Sequence, residues 1–162
     1  MMEREAVCRL LDEMGIDYHL AQHPAVYNMS EMEAVHVDDY GPVCKNLFLR
    51  DDKGRRHFLV VLSQHKSADL KALAAQLSSK SLGFASEARL QKYLGLSQGE
   101  VTPFGVLNDE ARAVTVVLDS DLSGAPRLGF HPNDNRATVW LSCHDLCRVL
   151  DAHGSAWRWA QI

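Results

Sequence analysis

Residues 129–142 concentrate side chains that could present chemistry from a loop. The centre of this segment, His131-Pro132-Asn133-Asp134-Asn135, is polar and lies between apolar, strand-like stretches. Pro132 fixes its own φ and biases His131 toward an extended backbone, so the direction of the imidazole is set by backbone geometry. We therefore regard His131 as a candidate ligand-facing residue. A histidine in an ordinary solvated hairpin turn would fit the same pattern.

Lys45 is the single charge in an apolar row that also contains Val43, Leu47 and Leu49. Alternate side chains of a strand share a face, so these four residues are predicted to lie together. An inward lysine costs free energy unless a polar or anionic group meets it, and a ligand phosphate or carbonyl is the predicted partner. The alternative is a lysine that protects an edge strand against aggregation.

Two further segments carry weaker signals. The loop at residues 99–103 joins a flexible Gly99 to a rigid Pro103, which suits backbone amides that approach a ligand closely, but the pattern is common in simple turns. Positive charge is concentrated at one predicted hairpin, in Arg50, Lys53, Arg55 and Arg56. Because the formal net charge is -4, any nucleic acid would have to be met locally at this hairpin. The alternative is an ordinary solvated hairpin.

Familiar hydrolytic and metal-binding motifs are missing from the sequence. It contains no Gly-x-Ser-x-Gly elbow and no His-Glu-x-x-His zinc helix. The four cysteines are too scattered for a disulfide framework, and Cys143, His144 and Cys147 fit no common zinc spacing. We predict no metal, no cofactor and buried structural thiols. Catalysis would then rest on positioning and on backbone amides that stabilise an oxyanion.

The 162 residues, 46% hydrophobic and 23% charged, predict one globular domain over 1–162. No apolar run reaches membrane-spanning length, so we expect a cytoplasmic protein with no membrane contact. Helical spacing predicts helices at 3–14, 30–38, from Ser67, at 86–94 and from Ser142 to near Gly154. Alternation predicts strands at 17–22, on both sides of a turn at 52–54, and at 81–85, 113–119, 127–130 and 137–142. These elements favour an α/β fold with a mixed, largely antiparallel curved sheet that forms a barrel-like core surrounded by helices.

Three motifs, in order over nearly the whole chain, resemble one family. Phe130-His131-Pro132, Asn135, Thr138 and Ser142 are similar to the Phe-His-Pro-x-x-Asn-x-x-Thr-x-x-x-Ser signature of the YbaK/prolyl-tRNA editing-domain family. Lys45 within residues 43–51, and the Gly-x-x-x-Pro loop continuing to residue 109, agree with it as well. The sequence thus resembles the aminoacyl-tRNA deacylases that clear mischarged tRNA.

The resemblance implies the same α/β architecture and a set of roles. It implies that Lys45 contacts the terminal adenosine or its phosphate and that the loop beginning at Gly99 contacts the ester carbonyl and the amino acid. It also implies that His131 orients the substrate. The tRNA's own terminal ribose hydroxyl would help to activate water. Substrate contacts are expected from Tyr27, Met29, Ser30, Asn46, Thr102, Pro103, Phe104, Asn135, Thr138 and Ser142. Tyr27, Met29 and Ser30 could equally be core and cap residues.

Three functions remain open from the sequence. The first is trans-editing of Ala-tRNA(Pro), favoured because residues 45–49 and 102–104 resemble the alanine-specific members of the family. The second is removal of another mischarged amino acid, Cys, Ser or Thr, and the third is a non-enzymatic module that binds tRNA or a synthetase. The expected partner is the acceptor end of mischarged tRNA, with a transient prolyl-tRNA synthetase complex as a further option and no DNA. Pocket size is expected to separate the first two functions, because an apolar pocket rejects larger side chains more strongly than smaller ones.

Overall fold

The computed structural model of the chain describes residues 2–34 and 40–162, which contain five α-helices and eight strands. The helices are α1 (Arg4–Glu13), α2 (Met29–Ala34), α3 (Leu70–Gln76), α4 (Glu87–Leu94) and α5 (Cys143–His153). The strands are β1 (His19–Gln22), β2 (Cys44–Arg50), β3 (His57–Ser63), β4 (Gly83–Phe84), β5 (Val114–Asp119), β6 (Leu128–Phe130), β7 (Ala137–Leu141) and β8 (Trp157–Ala160). Short 3₁₀ helices follow at Pro103–Asn108 and Ser120–Leu122. No helix among the described residues is long and apolar enough to cross a membrane.

The strands form two sheets, in the orders β1-β7-β6 and β4-β2-β3-β5-β8. The pairings β3-β5 and β5-β8 are parallel, and the other four are antiparallel. A parallel bridge between Val43 and Gly129 joins the two sheets. The predicted mixed, largely antiparallel α/β fold is therefore confirmed. The prediction of a barrel-like core was wrong, because the two sheets do not close into a barrel. The two-residue strand β4 pairs with β2 only at Leu49 and Arg50.

Helix ends follow the capping residues in the sequence. Ser86 accepts a hydrogen bond from the Arg89 N–H at the start of α4, and Gly95 ends that helix in the left-handed conformation, as predicted. The predicted cap of α3 was wrong, since the Asp69 carboxylate and not Ser67 accepts the first N–H groups. Ser67 lies too far upstream to reach them. The predicted end of α2 near residue 38 lies outside the described residues, and β8 has no counterpart among the predicted strands.

Two apolar clusters cover the two faces of the five-stranded sheet. The larger one packs α1, α4 and α5 against one face and includes Leu11, Phe48, Leu94 and Leu146. The smaller one packs α3 against the other face, where Leu49 is fully buried. Because β3 lies between both clusters, every residue of β3 up to Leu62 is buried, which explains its continuous apolar run. This central strand holds β2 rigidly along its whole length.

Candidate active site

A cavity of about 490 Å³ opens along one edge of β2, and every residue from Val43 to Phe48 lines it. β2 pairs with β3 along its whole length but with β4 only at Leu49 and Arg50. Apart from the single bridge between Val43 and Gly129 of β6, no other strand pairs with this edge in the described part of the chain, and residues from both faces of β2 line the cavity. Its volume lies within the range of about 300–1,000 Å³ that is usual for small-molecule sites.

Segments that are distant in sequence meet at this cavity. Lys45 and Asn46 come from β2, Tyr27 precedes α2, Gly99 follows α4 and His131 follows β6. The three residues predicted to be catalytic, Lys45, Gly99 and His131, thus line a single cavity. Their convergence depends on the pairing of the strands and is not visible in any one segment.

The ammonium of Lys45 is held by a neighbouring carbonyl. It donates to the carbonyl oxygen of Lys66, and the ion pairs of the described residues do not include it. An ammonium has three N–H donors, so two remain for a ligand. Lys66 itself donates to the fully buried Asp119 carboxylate at 2.7 Å, which anchors the carbonyl that Lys45 contacts. Sequence reasoning missed this support; the available signal was an acidic residue at the end of the apolar strand β5.

Asn46 presents an unpartnered amide oxygen. Its Oδ1 is buried, and no donor among the described residues lies within hydrogen-bonding distance of it. Its Nδ2 is 3.5 Å from the Cys44 carbonyl oxygen, a long contact. A buried acceptor without a donor costs free energy, so a donor from a ligand would stabilise this side chain.

Cys44 also lines the cavity, and its surroundings favour the protonated thiol. The thiol is buried, and burial raises its pKa to about 12. The reactive form of a cysteine is the thiolate, which is scarcely populated at neutral pH under these conditions.

Gly99 is needed at its position for two reasons. Its φ is +86°, a conformation that residues with a side chain rarely adopt. A Cβ at Gly99 would also lie 3.0 Å from the Tyr27 carbonyl oxygen and 3.2 Å from the Tyr27 Cα. The loop at 99–103 therefore packs directly on the segment before α2, and both line the cavity.

His131 has a defined protonation state. Its Nδ1 lies 3.0 Å from the Ala137 carbonyl oxygen, which can only accept, so Nδ1 carries the proton and Nε2 keeps a lone pair. Burial lowers the pKa of His131 below the ordinary value of 6.5, which keeps the ring neutral at pH 7. The Thr102 hydroxyl donates to the His131 carbonyl at 2.6 Å and fixes the backbone. A neutral imidazole with a free acceptor nitrogen therefore lines the cavity.

A model of the aminoacyl-tRNA editing domain matches residues 23–149, most of the chain. The chain belongs to the aminoacyl-tRNA editing domain family.

Two relatives and one solved structure resemble the chain over nearly its whole length. The prolyl-tRNA editing protein ProX of Acetoanaerobium sticklandii is 48% identical over 158 residues, which cover 98% of this chain and 96% of that protein. The prolyl-tRNA synthetase associated domain-containing protein 1 of Danio rerio is 36% identical over 151 residues, which cover 91% of this chain and 81% of that protein. A crystal structure of a candidate trans-editing enzyme for prolyl tRNA synthetase superimposes with a TM-score of 0.72 at 22% identity, covering 98% of this chain and 94% of that one. The last comparison shows a shared fold.

Several residues predicted to touch substrate are not among the residues that line the cavity of this editing domain. Thr102 and Pro103 begin a 3₁₀ helix and are buried, and the Phe104 ring packs edge-to-face on Phe130 with 6.3 Å between ring centroids. The buried Asn135 donates from Nδ2 to the Val26 carbonyl at 3.0 Å. These side chains hold the loops that line the cavity.

The remaining predicted substrate residues lie at helix starts or beside a second histidine. Met29 begins α2, Ser30 is exposed in that helix, and Ser142 caps α5 by accepting from the Asp145 N–H. The buried Thr138 hydroxyl oxygen is hydrogen-bonded to His23 Nε2 at 2.8 Å.

Sequence reasoning did not propose His23 as a site residue. Its ring centroid lies 6.3 Å from that of His131. The repeated His-Pro pair at residues 23–24 and 131–132 was the signal that could have found it.

Two cations of the basic hairpin donate hydrogen bonds to backbone carbonyls, and the other two, called the unengaged cations below, do not. Arg56 donates to the carbonyls of Leu77 and Ser78 at the end of α3, at 3.2 and 3.1 Å. Arg50 donates to the Asp51 carbonyl at 2.8 Å within the turn itself. Lys53 and Arg55 are exposed, and their charged groups make no hydrogen bond or ion pair with another described residue.

Proposed function

We propose that this editing domain acts in trans to hydrolyse the ester of mischarged aminoacyl-tRNA, with Ala-tRNA(Pro) as its preferred substrate. The observation that carries the proposal is the convergence of Lys45, Asn46, Gly99 and His131 on one cavity. The family of the chain and the names of its relatives, which refer to editing and to prolyl-tRNA synthetase, support it.

The groups around the cavity complement the end of an aminoacyl-tRNA. The substrate carries a cationic α-amino group, and the unpartnered Asn46 Oδ1 can accept one of its N–H bonds. The two remaining donors of Lys45 can bind the terminal adenosine or its phosphate. Gly99 allows the backbone amides of its loop to approach the ester carbonyl.

Hydrolysis then needs only positioning and charge stabilisation. The oxygen of water attacks the ester carbon, and the carbonyl becomes an oxyanion that the backbone N–H groups of Gly99, Val101 and Thr102 stabilise. Collapse of this intermediate re-forms the carbonyl and breaks the bond to the ribose oxygen, which leaves as a hydroxyl with the proton that the attacking water released. The Nε2 of His131 accepts a hydrogen bond from water or from the adjacent ribose hydroxyl and holds the donor in place.

The apolar part of the cavity wall supports the proposed preference for alanine. Met32, Val43, Leu90 and Val101 line it, and Gly99 and Tyr27, which also line the cavity, lie in close contact. Such a wall rejects larger side chains by steric exclusion. An added hydroxyl is rejected only weakly by an apolar pocket, so serine is expected to be a slower substrate.

A panel of mischarged tRNAs tests the proposed function. Single-turnover hydrolysis would be measured with Ala, Ser, Cys and Thr on tRNA(Pro), with correctly charged Pro-tRNA(Pro) as the control. We expect the alanyl ester to disappear fastest and the prolyl ester to persist. Faster removal of Cys or Thr would assign another substrate, and rates equal to spontaneous hydrolysis in every case would favour the binding-module alternative.

Hydrolysis is predicted to need no metal. The groups that we assign to the reaction are a neutral imidazole, an ammonium, an amide oxygen and backbone amides, none of which requires an ion to act. Activity after extensive dialysis against a chelator should equal that of the untreated protein. Loss of activity that added zinc restores would contradict this prediction.

The exposed cations of the hairpin are predicted to bind tRNA phosphates. Replacing Lys53 and Arg55 together with Ala should weaken tRNA binding and lower the slope of log Kd against log salt by about 2, because two cations no longer neutralise phosphates. Replacing the exposed Lys71 and Lys80, which lie in or after α3, is the matched control for lost charge. If the Lys53 and Arg55 variant keeps wild-type affinity at every salt concentration, the hairpin is only a solvated surface.

A further inference from the structure

Two exposed aromatic rings flank the cavity. The exposed large hydrophobic side chains among the described residues are Tyr27, Tyr40, Phe84 and Trp159. Phe84, at 64% exposure, and Tyr27, at 60%, are the most exposed of these, and both line the cavity. Tyr27 packs on Gly99, whereas Phe84 stacks on no other ring in the described chain. The Phe84 ring is thus a large apolar surface that the fold itself does not use.

Phe84 lies between the cavity and the unengaged cations. It belongs to β4, the edge strand, where it pairs with Leu49 while Gly83 pairs with Arg50. Residues up to Phe48 line the cavity, and the turn that carries Lys53 and Arg55 follows directly after Arg50. A chain that leaves the cavity along this edge therefore meets the Phe84 ring first and the exposed positive charges next.

This order matches a single strand of RNA. An exposed ring beside positive charges is the usual arrangement for binding unpaired nucleotides, since any base can stack on the ring while the cations bind phosphates. We propose that the base of the nucleotide preceding the terminal adenosine stacks on Phe84 when the 3′ end of tRNA enters the cavity. This inference rests on the proposed function and adds a base-stacking platform to it.

A coupling experiment on RNA binding tests the platform. The probe is an uncharged RNA hairpin with the tRNA(Pro) acceptor stem and single-stranded 3′ end, made with and without the base that precedes the terminal adenosine. Phe84→Ala should weaken binding of the intact RNA about tenfold, within the range for loss of one base–aromatic stack. The abasic RNA should bind wild type about tenfold more weakly, and Phe84→Ala should weaken that RNA no further, since both changes remove the same stacking interaction.

Three other variants distinguish base stacking from a nonspecific apolar contact and from a general loss of folded protein. Phe84→Trp should retain affinity, whereas Phe84→Leu should lose it, because leucine is apolar but has no aromatic face. Trp159→Ala removes an exposed ring from β8, at the opposite edge of the same sheet, and should bind like wild type. Phe84 is exposed, so its replacement should leave thermal unfolding almost unchanged.

The outcomes distinguish this inference from the proposed function. Two results would overturn the platform even if the wild-type protein hydrolyses Ala-tRNA(Pro). One is wild-type affinity of Phe84→Ala for the intact RNA. The other is an affinity of Phe84→Ala for the abasic RNA that is about tenfold weaker than that of the wild type for the same RNA. Coupled losses in a protein that hydrolyses no mischarged tRNA would support the platform and overturn the deacylase. Absence of binding of the intact RNA hairpin by the wild type would overturn the platform, whereas the deacylase is decided by the hydrolysis panel.

Discussion

Lys45→Ala is expected to reduce single-turnover hydrolysis of Ala-tRNA(Pro) by about a hundredfold or more, the usual loss when one electrostatic contact to a reacting group is deleted. The variant removes the ammonium that lines the cavity with two unused donors. It should still fold, because the wild-type side chain is only partly buried and its ammonium makes one hydrogen bond, to the Lys66 carbonyl. Loss of activity without loss of fold would identify Lys45 as a substrate-binding group.

The measurement pairs hydrolysis with thermal unfolding for Lys45→Ala, Lys45→Arg and a matched control. Lys71→Ala removes an exposed lysine from α3, away from the cavity, and should leave both quantities unchanged. Lys45→Arg should recover only part of the activity, because a planar guanidinium cannot replace a compact ammonium. Normal hydrolysis by a folded Lys45→Ala protein would support the alternative that Lys45 protects an edge strand against aggregation.

His131→Ala is expected to lower the hydrolysis rate by about a hundredfold, at the lower end of the range for a positioned acid–base group. The change removes the Nε2 acceptor that we assign to water or the ribose hydroxyl. The matched control is His144→Ala, which removes an exposed histidine at the start of α5. Equal rates for His131→Ala and wild type would show that the imidazole only fills space in the loop.

The pH dependence provides a second readout for His131. Burial lowers its pKa below 6.5, so the acceptor nitrogen stays available at neutral pH and is protonated only below that value. Wild-type hydrolysis should therefore fall on the acid side of pH 6.5, and His131→Ala should lose this decrease. An unchanged acid limb in His131→Ala would assign the titration to another group.

The same shift has a consequence for stability. The folded state binds a proton at His131 less tightly than the unfolded chain, so the stability gained from the neutral ring is fully present above pH 6.5. It decreases as the pH falls from 6.5 toward the lower pKa of the folded state. His57 contributes in the same direction, because its burial and the nearby Arg89 lower its pKa. Thermal unfolding of His131→Ala should therefore retain part of the acid sensitivity.

Local patterns in the sequence predicted the elements that depend on neighbouring residues. Ser86 and Gly95 mark the start and the end of α4 where expected, because a capping residue acts within one helical turn. The alternation in β2 correctly separates Leu47 and Leu49 from Phe48, which pack in different apolar clusters. Spacing rules of this kind need no knowledge of the rest of the chain.

The order of motifs correctly indicated the family, although it did not show how the motifs meet. Lys45, Gly99 and His131 lie in segments separated by tens of residues, and only the folded chain places them on one cavity. The open edge of β2 that forms the cavity results from the shortness of β4, a property of strand pairing that no single segment encodes.

The sequence by itself determined the class of fold, most helices and strands, and the residues that could carry chemistry. The tertiary structure decided that the sheets stay open, that the Asn46 oxygen lacks a partner, and that the exposed Phe84 stands beside the cavity. Caps and alternating faces arise from contacts between residues a few positions apart. Cavities, unpaired buried atoms and exposed rings arise from which distant segments pack together, and that packing is a property of the whole folded chain.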